Sequence, residues 1–214
     1  MARDTTFTPT LLGRSARVTL VTLLLTGLSY PLLVTGLAQL LFPARAGGSL
    51  VEDGKGRVVG SELVGQGFTA PGYLWPRPSA AGDTGWDPMA SGGSNLGPTS
   101  AKLRVRVVAE VERLRRENPA APGPVPVELV TTSGSGLDPH LSPAAARWQA
   151  PRIATARGLA PDRVLAVIDE TTEGRDLGFL GEPRVNVLLV NLALDRRFGA
   201  VTDGGGTPGQ ASTR

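Results

Sequence analysis

The feature that most constrains this chain is an uncharged apolar run near its N-terminus. Residues 18–44, which lie between Arg17 and Arg45, include no charged side chain. As an α-helix this run would be about 40 Å long, against about 30 Å for the hydrocarbon core of a bilayer. A cleaved signal peptide is the competing interpretation, because residues 44–46 read Ala-Arg-Ala, but its apolar region is normally only about 7–15 residues long. The length therefore predicts a retained transmembrane helix over residues 18–42.

Basic residues on the two sides of this run predict how the chain is oriented. Arg14 and Arg17 lie directly before the run, in a short N-terminal segment, while Arg45 follows it. Basic residues in short segments beside a membrane helix usually stay in the cytoplasm. We therefore expect a single-pass protein of the cell membrane with a cytoplasmic tail, an extracytoplasmic domain and a flexible C-terminal tail. These parts are expected over residues 1–17, 43–199 and 200–214, respectively.

The composition limits the chemistry of this domain. The chain has no cysteine and one histidine, which excludes disulfides, thiolate catalysis and a His- or Cys-rich zinc site. We predict no metal site and no firmly bound cofactor. The sequence pI is about 9.9, yet from Arg45 onward there are 19 basic and 18 acidic residues. A domain this close to neutral offers no broad positive surface, so nucleic acid is not an expected partner.

The middle of the chain predicts a long, ordered loop layer after a strand or hairpin over residues 47–61. Residues 62–100 are rich in Gly, Pro and Ser and hold four of the ten aromatic residues. Disordered segments are poor in aromatic residues, so we expect an ordered layer that buries or presents these rings. They are Phe68, Tyr73, Trp75 and Trp86.

The rest of the chain predicts helices and one strand. Serine or proline stands where the helices should start, and Asn118 and Gly158 stand where two of them should end. The expected segments are a helix from Thr99 or Ser100 to Asn118, a strand over 124–132, a helical stretch from Ser142 to Gly158 that Pro151 breaks in two, a helix from Pro161 to about Thr171, and a helix over 186–198. The fold class is therefore α+β, or a small α/β domain, on a single N-terminal transmembrane helix.

The stretch VTTSGSGLDPH (130–140) contains the residue types of a Ser-His-Asp triad, namely Ser135, Asp138 and His140. Triad members normally come from separate elements that converge in space, whereas these three lie within six residues. The G-x-S-x-G turn that presents a nucleophilic serine is also missing, because Ser133 stands in place of its first glycine. A hydrolase site is therefore disfavoured.

The same stretch is compatible with a phosphate cradle, as is ASGGSNLGPTS (90–100). Gly-Ser turns can aim backbone N–H groups at an anion, but neither loop carries the lysine of a P-loop. The alternative is a structural turn in which Gly134 and Gly136 adopt positive φ and Ser142 caps the next helix. The residues favour the structural turn and leave the anion nest open.

Four segments, taken in order, resemble one known family. They are FTAPGYLWPRPSA (68–80), ASGGSNLGPTS (90–100), VTTSGSGLDPHLSPAAARWQ (130–149) and TEGRDLGFLGEPRVNVLLVNLALD (172–195). Together with the N-terminal apolar run, they closely resemble the C subunit of the bacterial Kdp potassium-transporting ATPase. The resemblance covers about residues 12–198.

This resemblance implies an accessory, non-hydrolysing subunit of an ATP-driven potassium importer, needed for its assembly and activity. The implied partners are a K⁺-channel-like subunit, an ATP-hydrolysing P-type subunit and a small fourth subunit. The family is described as a catalytic chaperone that raises the ATP affinity of the hydrolysing subunit. Its proposed nucleotide-binding signature would fall on Ser133, Gly134, Ser135, Gly136 and Gln149. The chain lacks the Asp-Lys-Thr-Gly phosphorylation sequence, so no catalytic residue is expected in it.

Two functions remain open at this point. An extracytoplasmic domain would not meet cytosolic ATP, so ATP would act through the partner subunit and the loops would serve for docking. The partner-contact candidates are then Phe68, Tyr73, Trp75, Trp86, Asp138 and His140. The alternative is a membrane-anchored regulatory subunit with an ATP site of its own.

Overall fold

A computed structural model describes residues 9–201 of the chain. The chain divides into two compact units between Ser49 and Leu50, and each is described by itself. The C-terminal tail expected over residues 200–214 falls largely on residues 202–214, and the first eight residues of the N-terminal tail expected over 1–17 are residues 1–8; both ranges lie outside the described residues.

The first unit is helical. Helix α1 (Pro9–Leu24), a π-helical turn (Leu25–Ser29) and helix α2 (Tyr30–Leu41) follow one another without a break, and a short α3 (Pro43–Ala46) comes next. Residues 10–41 form the one helix in the described part of the chain that is long and apolar enough to cross a membrane. The helix begins before the predicted residue 18, so the basic residues expected in a tail lie on its first turns.

The π-helical turn has a local cause in Pro31. Proline has no N–H, and its ring collides with the carbonyl group four residues earlier, here that of Gly27. Gly27 lies inside the π-helical turn, and the wider backbone of such a turn accommodates the ring. The helix therefore continues past Pro31 instead of ending there.

The second unit contains two small antiparallel sheets. Strands β1 (Leu50–Glu52) and β2 (Val58–Ser61) pair with each other, which confirms the hairpin predicted over 47–61. The other sheet has the order β3-β5-β4, with both pairings antiparallel. Its strands are β3 (His140–Leu141), β4 (Thr172–Glu173) and β5 (Arg184–Asn186). Antiparallel pairing without a parallel crossover makes this unit α+β.

The helices of this unit begin and end at the predicted capping residues. Ser100 Oγ accepts a hydrogen bond from the N–H three residues later at 3.4 Å, and Ser142 Oγ does the same at 3.3 Å. The predicted break near Pro151 falls at Gln149, and Gly158 ends its helix with a φ of 64°. The helices are α4 (Ala101–Glu117), α5 (Pro143–Trp148), α6 (Ala150–Arg157), α7 (Pro161–Glu170) and α8 (Val187–Phe198).

The prediction of a strand over residues 124–132 is wrong. The segment instead contains a 3₁₀ turn at Val127–Leu129. Two prolines within it lack the N–H groups that a strand needs for pairing. Adjacent residues Leu129 and Val130 are both buried, which a strand with alternating faces would not allow. Leu129 and Val130 therefore enter the core from a turn and not from a strand.

One main apolar core joins the helices, the three-stranded sheet and the loop layer. Leu141 of β3, Ile153 of α6, Ile168 of α7 and Leu194 of α8 are fully buried in it, and so is Leu74 from the loop layer. A smaller cluster connects the β1–β2 hairpin with α8 through Val51, Val59, Leu188 and Leu192. The irregular segment 62–100 is therefore part of the core.

Candidate functional site

Two buried side-chain amides hold the aromatic loop (residues 68–86) in place. The N–H of Leu74 donates to Asn191 Oδ1 at 2.7 Å, and Asn191 Nδ2 donates to the Leu74 carbonyl at 3.0 Å. The N–H of Trp75 donates to Gln149 Oε1 at 2.9 Å, and Gln149 Nε2 donates to the Trp75 carbonyl at 2.9 Å. Each amide satisfies the backbone groups that a neighbouring strand would otherwise bind.

Arg152 on α6 completes this anchor, and no ion pair joins it to a carboxylate among the described residues. Its guanidinium donates to the carbonyl groups of Pro71 and Tyr73 and to Gln149 Oε1. Its central carbon lies 3.5 Å from the centroid of the Trp75 ring, which is the geometry of a cation–π contact. Burial lowers the pKa of Arg152 to about 9, so the group remains protonated at neutral pH. This buried charge is thus balanced by carbonyl dipoles, an aromatic face and the negative charge of Glu117.

A second anchor fixes Tyr73 against α8. The Tyr73 hydroxyl donates to Asp195 Oδ2 at 2.9 Å, and Arg157 Nη2 donates to Asp195 Oδ1 at 2.8 Å. Arg157 Nε also donates to the carbonyl of Gly72 at 2.7 Å. Burial and the hydrogen bond to Asp195 raise the pKa of Tyr73. Asp195 and Arg157 therefore bond the loop in addition to Asn191, Gln149 and Arg152 and to its apolar packing.

The four aromatic candidates separate into two groups. Tyr73 and Trp75 are buried, whereas Phe68 and Trp86 are partly exposed and line a cavity of about 610 Å³ beside Trp75. The charges in the wall of this cavity are compensated, because Arg113 pairs with Glu110 and Glu117. Tyr73 and Trp75 thus take part in the packing of the domain, whereas Phe68 and Trp86 present exposed ring surface. Contact with a partner stays a prediction for all four.

The Gly-Ser loop (residues 133–136) interlocks with the other glycine-rich loop, at 90–100. The carbonyl of Ser135 accepts hydrogen bonds from Gly92 N at 2.8 Å and from Ser91 Oγ at 3.1 Å. The carbonyl of Gly136 accepts from Ser79 Oγ at 2.6 Å. Two segments that the sequence offered as separate candidate loops therefore form one surface, tied to the aromatic loop.

Glycine is required at only one of the two predicted positions in this loop. Gly136 has a φ of 68°, and a Cβ there would lie 2.5 Å from the carbonyl oxygen of Gly92. Gly134 does not have a positive φ, and a Cβ there would meet nothing within 4 Å. The expectation that both glycines adopt positive φ is therefore wrong for Gly134.

Asp138 and His140 follow the Gly-Ser loop and lie together. Asp138 Oδ1 accepts from the His140 N–H at 3.0 Å and lies 3.6 Å from His140 Nδ1, and Asp138 Oδ2 lies 3.3 Å from Arg77 Nη1. Burial by itself would raise the pKa of Asp138. The hydrogen bonds from His140 and the charge of Arg77 outweigh burial, and the pKa of Asp138 lies below its ordinary value. The carboxylate is thus held ionised.

The arrangement does not form a triad. The Ser135 hydroxyl accepts a hydrogen bond from Leu137 N at 3.1 Å and lies 3.4 Å from the Ser133 hydroxyl. His140 is directed to Asp138, and among the described residues no hydrogen bond joins it to Ser135. Nucleophile and base are therefore not in contact.

The loop retains one property of an anion nest. The backbone N–H groups of residues 133–136 donate no hydrogen bond within the described part of the chain. The nearby cation is Arg77, whose guanidinium lies against Asp138 and the carbonyl groups of Thr131 and Thr132. Gln149 is 0% exposed and bonded to Trp75, so a nucleotide at its amide would have to displace the aromatic loop.

The anchoring residues Arg152, Asn191 and Asp195 were missed by the sequence reasoning. Asn191 offered a signal, since it is a polar residue on the apolar side of the predicted helix 186–198. Arg152 and Asp195 offered none, because charged residues in helices usually face solvent. Among residues 9–201, no group of three or more His, Cys, Asp or Glu side chains is placed to hold a metal ion.

Comparison with known proteins identifies the relatives of the chain. It matches the family model of the K⁺-transporting ATPase c chain over residues 12–196. It is 69% identical over 197 residues to the potassium-transporting ATPase KdpC subunit of Myxococcus xanthus, covering 92% of this chain and 93% of that protein. It is 59% identical over 175 residues to the KdpC subunit of Rhodospirillum rubrum, covering 82% and 90%.

These matches include most of the N-terminal apolar helix as well as the α+β unit. They place the chain in the class of accessory subunits of ion-transporting ATPases. The chain belongs to the KdpC family, the C chains of the potassium-transporting ATPase. The resemblance inferred from its four sequence segments is thereby confirmed.

Proposed function

We propose that this chain acts by docking in the potassium-transporting complex, as a non-hydrolysing subunit that the complex needs for assembly and activity. Its α+β unit lies outside the cytoplasm on a single transmembrane helix. From there it raises the ATP affinity of the hydrolysing subunit through contacts within the complex. Its partners are a K⁺-channel-like subunit, the P-type hydrolysing subunit and a small fourth subunit.

The observation that carries this proposal is the compensation of charge beside the Gly-Ser loop. Arg77 is directed to Asp138 and to two backbone carbonyl groups, so its charge is already balanced by this chain. A triphosphate bound at the loop would face that balanced pair, and neither glycine-rich loop contains a lysine. Phosphate sites in proteins normally add an unpaired cation to the backbone N–H groups, which favours a docking role for this surface.

The test is to purify the complex with and without this chain. We expect the complex without it to lose K⁺-stimulated ATP hydrolysis, or to show a raised KM for ATP if the other subunits remain together. Full-length chain added back should restore both. Assembly, transport and KM for ATP that are unchanged without the chain would overturn the proposal.

A second candidate function is a membrane-anchored regulator that binds nucleotide itself. The four unbonded N–H groups of residues 133–136 favour it, since such groups can bind an anion. Equilibrium binding of ATP to the full-length chain in detergent tests it. A variant with Ser133→Ala and Ser135→Ala should bind more weakly if these hydroxyls contact the phosphates. An affinity that does not change in this variant counts against the two serines.

A further inference from the structure

The turn between β4 and β5 exposes three large apolar side chains within four residues. Leu177 is 82% exposed, Phe179 is 68% exposed and Leu180 is 50% exposed. We name residues 176–180 the β4–β5 tip. Exposed apolar side chains are common one at a time, but a contiguous group of this kind marks a contact surface.

The tip is held in one conformation. Asp176 N donates to the Leu180 carbonyl at 2.9 Å, and Leu180 N donates to the Asp176 carbonyl at 2.9 Å. Leu177 has a φ of 54°, which is disfavoured for a residue with a Cβ and is retained only where the surroundings enforce it. A turn that is already ordered loses little conformational entropy when it binds.

Ion pairs secure the base of the tip. Arg184 bridges Asp176 at 3.2 Å and Glu173 at 2.9 Å, and Arg175 pairs with Glu182 at 2.8 Å. The tip and its base therefore carry three carboxylates and two guanidinium groups, a net charge of −1. The apolar side chains themselves are exposed and belong to neither apolar cluster of the domain.

We propose that the β4–β5 tip inserts its Leu177 and Phe179 side chains into an apolar pocket of a partner protein subunit whose rim is positively charged. The net negative charge at the base of the tip favours a protein pocket with a positive rim over an anionic bilayer. Peptide segments that bind such bilayers combine apolar residues with excess Lys or Arg. The proposal rests on the docking function above and adds a second contact surface to the one at the Gly-Ser loop. The pocket and tip then follow the pattern of buried apolar anchors surrounded by a polar rim.

The first test measures binding of full-length tagged chain to the detergent-solubilised complex of the other subunits. The double variant Leu177→Ser, Phe179→Ser should bind about 100-fold more weakly, and Leu177→Gly, which removes the positive-φ strain, about tenfold more weakly. Val105→Ser is the matched control, since Val105 is 70% exposed and lies on α4, outside the tip and the candidate docking loops, and it should bind like wild type. Wild-type affinity in both tip variants overturns the proposal.

The second test identifies what surrounds the tip. Because the chain has no cysteine, Leu180→Cys accepts a single polarity-sensitive dye while both anchor side chains remain. In nanodiscs of phosphatidylethanolamine and phosphatidylglycerol, we expect the emission to shift to the blue only after the other subunits are added. A blue shift with the chain alone would assign the tip to the bilayer and overturn the proposal.

The two proposals fail in different ways. If deletion of the whole chain leaves assembly and transport intact, the docking function itself is wrong. If deletion abolishes them while the tip variants bind and transport like wild type, only the assignment of the tip is wrong. Thermal unfolding of each variant chain should match wild type, because the substituted side chains lie on the surface.

Discussion

Gln149 and Trp75 are joined by a reciprocal pair of hydrogen bonds, each 2.9 Å long, between the side-chain amide of one and the backbone of the other. Arg152 donates to the same amide oxygen at 2.7 Å and lies over the Trp75 ring. Loss of this one amide would leave buried polar groups on both neighbours unpaired. This relationship explains how an irregular loop becomes part of the core.

Replacement of Gln149 by alanine should therefore destabilise the domain strongly. The Trp75 N–H and carbonyl would lose their partners in a buried site, for which we expect a loss of about 2–5 kcal/mol in the free energy of unfolding. Urea unfolding of the full-length chain in detergent measures it. Thr155→Ala, an exposed change in α6, which begins directly after Gln149, is the control. A loss for Gln149→Ala no larger than that of the control would contradict this role.

Removal of the Tyr73 hydroxyl should have a smaller effect. Tyr73→Phe keeps the buried ring and removes the hydroxyl that bonds to Asp195, which remains paired with Arg157. We expect a loss of about 1–3 kcal/mol, as for a hydrogen bond to a charged group. Tyr30→Phe makes the same chemical change at an exposed ring of the N-terminal helix and should leave unfolding of the α+β unit unchanged. Equal stability of the two variants would show that the bond to Asp195 contributes nothing.

The two glycines of the Gly-Ser loop should respond differently to alanine. Gly136→Ala places a methyl group against the Gly92 carbonyl and the Ala81 N–H at positive φ, so the interlocked loops must separate. We expect a loss of about 2–4 kcal/mol and faster hydrogen exchange in residues 90–100. Gly134→Ala meets no atom within 4 Å and should behave like wild type. Similar behaviour of both variants would contradict the interlocked arrangement.

Acid stability should depend on Asp138. Its pKa in the folded chain lies below the ordinary value of 3.8, so the ionised form contributes stability above that pH. This contribution is lost as the pH falls through the lowered pKa. Wild type should therefore lose more stability than Asp138→Asn when the pH is lowered from about 5 to about 2. Parallel unfolding curves for the two chains over that interval would show that Asp138 does not contribute.

The orientation of the α+β unit can be tested with a single cysteine. Met89→Cys places a thiol at a 91% exposed position in a chain without other cysteines. If the unit lies outside the cytoplasm, a membrane-impermeant maleimide should label it in intact spheroplasts. Labelling only after the membrane is permeabilised would place the unit in the cytoplasm and favour the nucleotide-binding alternative. A cysteine at Ser94 serves as a second, less exposed position.

Local signals predicted much of the fold. The apolar run predicted a long N-terminal helix, and Ser100, Ser142 and Gly158 predicted helix ends, because length and capping depend on residues close together in the chain. The prediction of a strand over 124–132 was wrong because it was inferred from a local pattern of apolar residues. Burial of Leu129 and Val130 is decided by neighbours that are distant in sequence.

The sequence by itself determined membership of the KdpC family, a membrane-length helix and the position of the turns. All three depend on the order of residues along the chain. Only the tertiary structure decided what VTTSGSGLDPH does. Its serines are part of interlocked loops, and its aspartate is paired with Arg77. Gln149, which lies after this stretch and was predicted to act with it, is directed into the core. These roles depend on contacts between residues up to 74 positions apart. Hydrogen bonds and burial depend on residues that are neighbours in space, and a local sequence pattern does not specify those neighbours.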